Sequence, residues 1–231
     1  MELEKIVKFL DEKIPPDLAL NSDKVGFLRD YDLSQDIQLI KVYMDLFPEE
    51  DCFEESVLVI THHPPLFQPV TPTYVIHSNW DIITGGANEA LACELNLKVV
   101  DVFDSETNIG RVCESEYTFK ELSEIILNKF NDVNVVNRPD LSKKIRKIGV
   151  ISGFGLKNPE YIRLAIEKEV DLLISGDLTQ ETAVLAINLD LTVVDLKHHC
   201  SEVPGLYYLK NIIDELGVRC ELVNRIPIEK L

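Results

Sequence analysis

Val57-Leu-Val-Ile-Thr-His-His-Pro-Pro-Leu-Phe67 is an apolar run that ends abruptly in two histidines and two prolines. Val57 to Ile60 predict a strand, and the prolines end it. Ligands of open α/β sheets bind outside the carboxyl ends of the strands, which is where His62 and His63 fall. Neighbouring residues of a regular strand point to opposite faces, so adjacent histidines do not readily chelate one ion. Pro64 holds His63 in an extended conformation where the chain can turn. Each imidazole could then serve a different ion of a close pair. The alternative is a histidine pair satisfied beside a turn, and on these residues alone the two readings stand level.

Outward from this stretch, strands and helices alternate. Leu3, Ile6, Val7 and Leu10 recur at helical spacing before Pro15-Pro16 stops the helix. Ile37 to Met44 reads as a strand. Helical patterns cover 86–95, 118–129, 159–168, 179–188 and 205–216, with β-rich runs at 99–102, 133–136, 145–151, 172–174 and 191–194. This alternation predicts an α/β fold. The polar stretch from Asn131 to Lys144 marks a seam between an N-terminal lobe at 1–130 and a C-terminal lobe at 131–231. Gly149-Val-Ile-Ser-Gly153 and Leu172-Leu-Ile-Ser-Gly176 echo each other, each placing Ser-Gly at a strand end before a helix.

Asp and Glu number 40 against 23 Lys and Arg, a formal net charge of -17 in 231 residues. So acidic a surface disfavours broad electrostatic binding to nucleic acid or to anionic membranes. It also concentrates divalent cations, although a soluble acidic face accounts for most of the charge. Cys52, Cys93, Cys113, Cys200 and Cys220 form no C-x-x-C pair, which argues against a Cys-rich zinc site and a thioredoxin-type motif. A disulfide framework is not expected in a chain with a core of its own. The charged start Met1-Glu-Leu-Glu-Lys5 and the lack of a run of ~20 apolar residues predict a cytoplasmic protein that does not enter a membrane.

Two further segments carry candidate chemistry. Ile76-His-Ser-Asn-Trp-Asp81 precedes Gly85-Gly86-Ala87-Asn88 and a helix. Asp81 is an oxygen ligand, His77 a ligand or a group that orients one, and the glycines let the backbone approach another element closely. An ordinary turn before a helix has the same composition. His198-His-Cys-Ser-Glu202 follows the strand at 191–194. On a helix, His198 and Glu202 share a face, whereas Ser201-Glu202 could instead open a helix before Pro204. Imidazole with carboxylate suits Zn, Mn, Fe or Ni better than Ca. Four of the five histidines lie in the two His-His pairs and the fifth is His77, a concentration that favours a site. Three imidazoles and two carboxylates carry about -2 against about +4 from two divalent ions, and a bridging hydroxide leaves about +1. An anion such as a phosphate or nucleotide would be attracted locally.

At these residues the chain resembles the Nif-three-like dinuclear-metal proteins, a family of GTP cyclohydrolase type 2 homologues. Thr61 to Phe67 is similar to the family's double-histidine motif, and Asp23-Lys-Val-Gly-Phe27 to its Trp-Asp-Asn-Val-Gly-Leu without the Trp and Asn. His77 to Asp81 resembles His-Thr-Asn-Leu-Asp, and Asn108 to Arg111 resembles Gly-x-Gly-Arg. Ile174 to Asp177 resembles Ile-Thr-Gly-Glu, and His198 to Glu202 the closing His-x-x-Ser/Thr-Glu. The order of these motifs is specific and spans most of the chain.

The resemblance implies that His62, His63, Asp81, His198 and Glu202 bind two divalent ions, Zn, Fe, Mn or Ni. It implies two associated α/β lobes with the metal site between them, and a homo-oligomer in the form of a hexameric ring. It also implies a metal-dependent hydrolase of a nucleotide or phosphorylated small molecule. The attacking group would be a metal-bridging hydroxide, and for a cyclohydrolase the target would be C8 of guanine. His77 and Asp177 are the candidate general acids. Asp177 stands where the family usually has Glu, and Gln180 near where it often has His; both departures bear on the substrate chemistry and spare the ligands. A non-enzymatic metal-binding regulatory or scaffold protein is the alternative.

Overall fold

The computed structural model describes residues 1–52 and 54–228. The chain forms two compact units, one from Met1–Gly86 with the chain from Leu206 onward, the other from Ala87–Gly205. The seam thus lies at Gly86 and is crossed again at Gly205, so residues 87–130 belong to the second unit and not to the expected N-terminal lobe. Long-range strand pairing is the reason.

The first unit opens with α1 (Leu3–Lys13), which buries Leu3, Ile6 and Leu10 as their spacing predicts. It continues through β1 (Gly26–Phe27), β2 (Leu39–Tyr43), β3 (Val57–Thr61), β4 (Thr73–Val75) and α2 (Ser78–Ile82). The second unit contains α3 (Ala87–Glu94), β5 (Lys98–Val102), β6 (Arg111–Glu114), α4 (Phe119–Lys129), β7 (Asn134–Val136) and β8 (Lys147–Val150). It then runs through α5 (Glu160–Glu167), β9 (Leu172–Ser175), α6 (Gln180–Asn188) and β10 (Thr192–Asp195). α7 (His198–Asp214) starts in the second unit, and β11 (Arg219–Val223) lies in the first.

The first sheet has the order β1-β4-β3-β2-β11, parallel except for β1 at its edge. The pairing of β11 with β2 is what returns the C-terminal segment to the first unit. Every residue of β3 is buried, in keeping with a central parallel strand. The second sheet has the order β5-β6-β8-β9-β10-β7, with β8, β9 and β10 parallel and the others antiparallel. Because β6 pairs with β8, residues before the polar stretch at 131–144 are built into the same sheet as those after it. Its core includes Leu91, Phe119, Leu122, Ile148, Leu172 and Ile174. α4 begins on a capping box made by Thr118 and Glu121.

Most of the predicted elements are present. The helix expected at 205–216 instead starts at His198 and runs through Pro204, which removes one backbone donor without ending it. The short β1, β4 and α2 left no periodic signal. Among the described residues, no helix is long and apolar enough to cross a membrane.

The paired glycines before α3 have different jobs. A Cβ at Gly86 would lie 1.9 Å from the Trp80 carbonyl oxygen, whereas Gly85 has a φ of +79° and open space around it. Gly86→Ala should therefore cost about 3 kcal/mol or more, through a backbone clash that no rotamer relieves. Gly85→Ala should cost only about 1–2 kcal/mol, for its left-handed backbone. Urea denaturation of the two variants checks the difference.

Candidate metal centre

In the first unit the parallel register sets the carboxyl ends of three strands level: Tyr43 pairs with Thr61, and Thr61 with Val75. Two residues further along each strand stand Asp45, His63 and His77. The pairing continues past the strands proper, because His62 and His63 donate backbone N–H bonds to the carbonyls of Tyr43 and Met44, both at 2.9 Å. The rings of His62, His63 and His77 gather with centroids 4.9, 5.1 and 5.5 Å apart. One donor nitrogen from each lies within 4.8 Å of those of the other two.

Each ring is held by an oxygen at Nδ1. His62 Nδ1 is 3.0 Å from the Ile76 carbonyl, and His63 Nδ1 is 2.8 Å from Asp45 Oδ1. His77 Nδ1 lies 2.8 and 2.9 Å from the two oxygens of Asp23. A carbonyl or an ionised carboxylate can only accept, so Nδ1 is the donor in each ring, and Nε2 is the nitrogen a cation would take. Burial opposes the Asp23 charge, but hydrogen bonds from His77 and Ser78 prevail and hold its carboxyl well below the usual range. Asp81, in the first turn of α2, brings Oδ1 to 3.6 Å from His62 Nε2.

In the second unit, α7 places His198 and Glu202 on one face, with Nε2 and Oε2 3.1 Å apart. Asp177 Oδ2 lies 2.9 Å from His198 Nδ1, repeating the pattern of the first unit. Burial works against a charge on His198, but Asp177 and Glu202 outweigh it and raise its pKa to about 10. A cation bound at Nε2 requires that proton to leave. Glu202 fits where Gly153 has no side chain: a Cβ there would lie 2.1 Å from Glu202 Oε1.

Each sequence-predicted site residue thus has a defined setting. His62, His63, His77 and Asp81 converge within the first unit, and His198, Glu202 and Asp177 within the second. Asp177, a candidate general acid by sequence, sits where it orients His198. Asp45 and the orienting role of Asp23 were not foreseen. Asp45 had no signal, and the part played by Asp23 depends on a contact made 54 residues away. The donors fit a borderline transition metal: carboxylate oxygens beside imidazoles whose Nδ1 atoms are already engaged.

The chain matches the family described as Duf34/NIF3 (NGG1p interacting factor 3) over residues 1–73 and 71–227. It belongs to this family. A relative from Methanothermobacter thermautotrophicus, named GTP cyclohydrolase 1 type 2 homolog, is 34% identical over 97% of this chain and 93% of its own length. One of the same name from Methanocaldococcus jannaschii is 30% identical, over 92% of this chain and 95% of its own. Among solved structures, reduced HcgD from Methanocaldococcus jannaschii superposes with a TM-score of 0.83 at 28% identity, covering 97% of this chain and 98% of that one. As a Duf34/NIF3 protein, this chain keeps the α/β architecture of its solved relatives.

If Asp45 acts by orienting His63, Asp45→Asn should weaken metal binding by about 10- to 100-fold, as loss of an outer hydrogen bond does. The half-exposed position of Asp45 should leave the melting temperature of metal-free protein nearly unchanged. Competition titration with a chromophoric chelator, beside a thermal melt, measures both.

Proposed function

We propose that this Duf34/NIF3 protein is a metal-dependent hydrolase of a nucleotide or another phosphorylated small molecule. Its ligands to two divalent ions would be His62, His63 and Asp81 of the first unit, with His198 and Glu202 of the second. The observation that carries this reading is the common orientation of four imidazoles, each with Nδ1 on an oxygen, which in His62 and His198 turns Nε2 towards the carboxylates of Asp81 and Glu202. The names of the relatives support the hydrolytic reading.

A divalent ion, when bound, lowers the pKa of a water it holds and polarises a substrate oxygen. The chain's own residues do the rest. Asp45 and the Ile76 carbonyl fix the rings of His63 and His62, and Asp177 fixes His198. His77, with its Nδ1 proton held by Asp23, serves as a further ligand or as the proton donor to a leaving group. The homohexameric ring and the cytoplasmic location expected from sequence belong to the same proposal, and light scattering tests the first.

Metal content of protein purified without chelators decides the reading. About two transition-metal equivalents per chain are expected, falling in His63→Ala and in Glu202→Gln. Protein that stays empty when offered Zn, Mn, Fe or Ni overturns it. In a screen of nucleotides and phosphoesters, turnover abolished by chelation supports the hydrolase. A loaded protein without turnover would indicate a metal-binding regulator. For His77→Ala, loss of metal marks a ligand, and loss of turnover with metal retained marks the proton donor.

A further inference from the structure

The parallel register of the second sheet sets Val150, Ile174 and Val194 level on β8, β9 and β10. Three residues beyond each stand Gly153, Asp177 and Lys197, and all three have a left-handed backbone, with φ of +76°, +62° and +68°. Left-handed residues therefore stand at equivalent places on three adjacent strands. Glycine takes this conformation freely and Asp tolerates it, but Lys does so only when something holds it there.

All three turns meet the first turn of α7. Gly153 donates its N–H to Ser201 Oγ at 2.8 Å and leaves the space that Glu202 fills. Gly176, just before Asp177, lies so close to the His198 backbone that a Cβ there would stand 2.5 Å from its nitrogen. Asp177 reaches His198 Nδ1. Lys197 directly precedes His198 in the chain. What holds Lys197 is Asp195, a carboxylate 2% exposed at the end of β10. Its Oδ1 accepts the Lys197 backbone N–H at 2.9 Å, and its Oδ2 accepts from Lys197 Nζ at 2.9 Å and Asn134 Nδ2 at 3.0 Å.

We infer that Asp195 is a positioning residue for the metal site: by clamping Lys197 in its left-handed turn, it sets the start of α7 so that His198 and Glu202 are aimed before any cation arrives. Asp195 touches neither ligand, and no step of the proposed reaction uses it. A ligand pair held in place in advance binds a cation without the cost of ordering it. The inference rests on the metal reading of this site.

The test compares the whole chain as wild type, Asp195→Ala, and the double variant Asp195→Ala with Lys197→Gly. Each is titrated with Co(II) and followed by its visible d–d absorption, with circular dichroism as a check on folding. Asp195→Ala should bind Co(II) about 10- to 100-fold more weakly, with an altered spectrum. The double variant should recover affinity and spectrum, because glycine adopts the left-handed turn unaided and the charge pair is removed as a whole. Wild type that takes up no Co(II) sinks the metal reading itself. Wild type that loads beside an unchanged Asp195→Ala overturns the positioning role alone. A weakened Asp195→Ala that Lys197→Gly does not rescue shows that Asp195 does not act through the turn, and this also overturns the inference. If Asp195→Ala does not fold, a double variant that folds but loads poorly counts against it in the same way.

Discussion

The constraint on which the rest depends is parallel strand pairing. Parallel strands in register end together, so residues that follow them at equal distances arrive at one edge of the sheet. In the first unit this brings Asp45, His63 and His77 to one level, although 18 and 14 residues separate His63 from the other two. In the second unit it does the same for Gly153, Asp177 and Lys197. An antiparallel meander would alternate strand starts with strand ends along that edge and would not collect these side chains.

The second level of order is the fixing of tautomers. An imidazole in water exchanges its proton between two nitrogens, and a cation selects only the bare one. Here a backbone carbonyl and three aspartates make that selection in advance. This also explains part of the chain's acidity. Asp23, Asp45 and Asp177 are not simply solvated surface charges, because each is committed to a histidine ring. Many of the other acids lie on exposed faces.

Glycine and proline tune the backbone around these groups. Gly153 clears a volume that Glu202 occupies, and Gly86 leaves room for the carbonyl of Trp80. Pro204 lies inside α7 without breaking it, since the first turn of that helix is fastened independently by Ser201, Gly153 and Asp177. Local propensity alone would have ended or delayed the helix there, and tertiary contacts override it.

Much was legible in the sequence. The α/β class, most helices and the buried strand before His62 follow from hydrophobic period, because a periodic apolar face is a local property of the chain. The crowding of five histidines into three short segments marked the site, and His198 and Glu202 share a face by helical spacing alone. Tertiary structure alone decided the rest. The seam at Gly86, the return of β11 to β2, and the union of β6 with β8 are pairings between distant residues, and no local pattern encodes them. The same holds for the partners of the rings: Asp45 looks like any other acid in a chain with forty, and the motifs that hold Asp23 and Asp177 do not say which ring each one meets. Strand register brings Asp45 to His63, and the folding of a loop and of α7 brings Asp23 to His77 and Asp177 to His198.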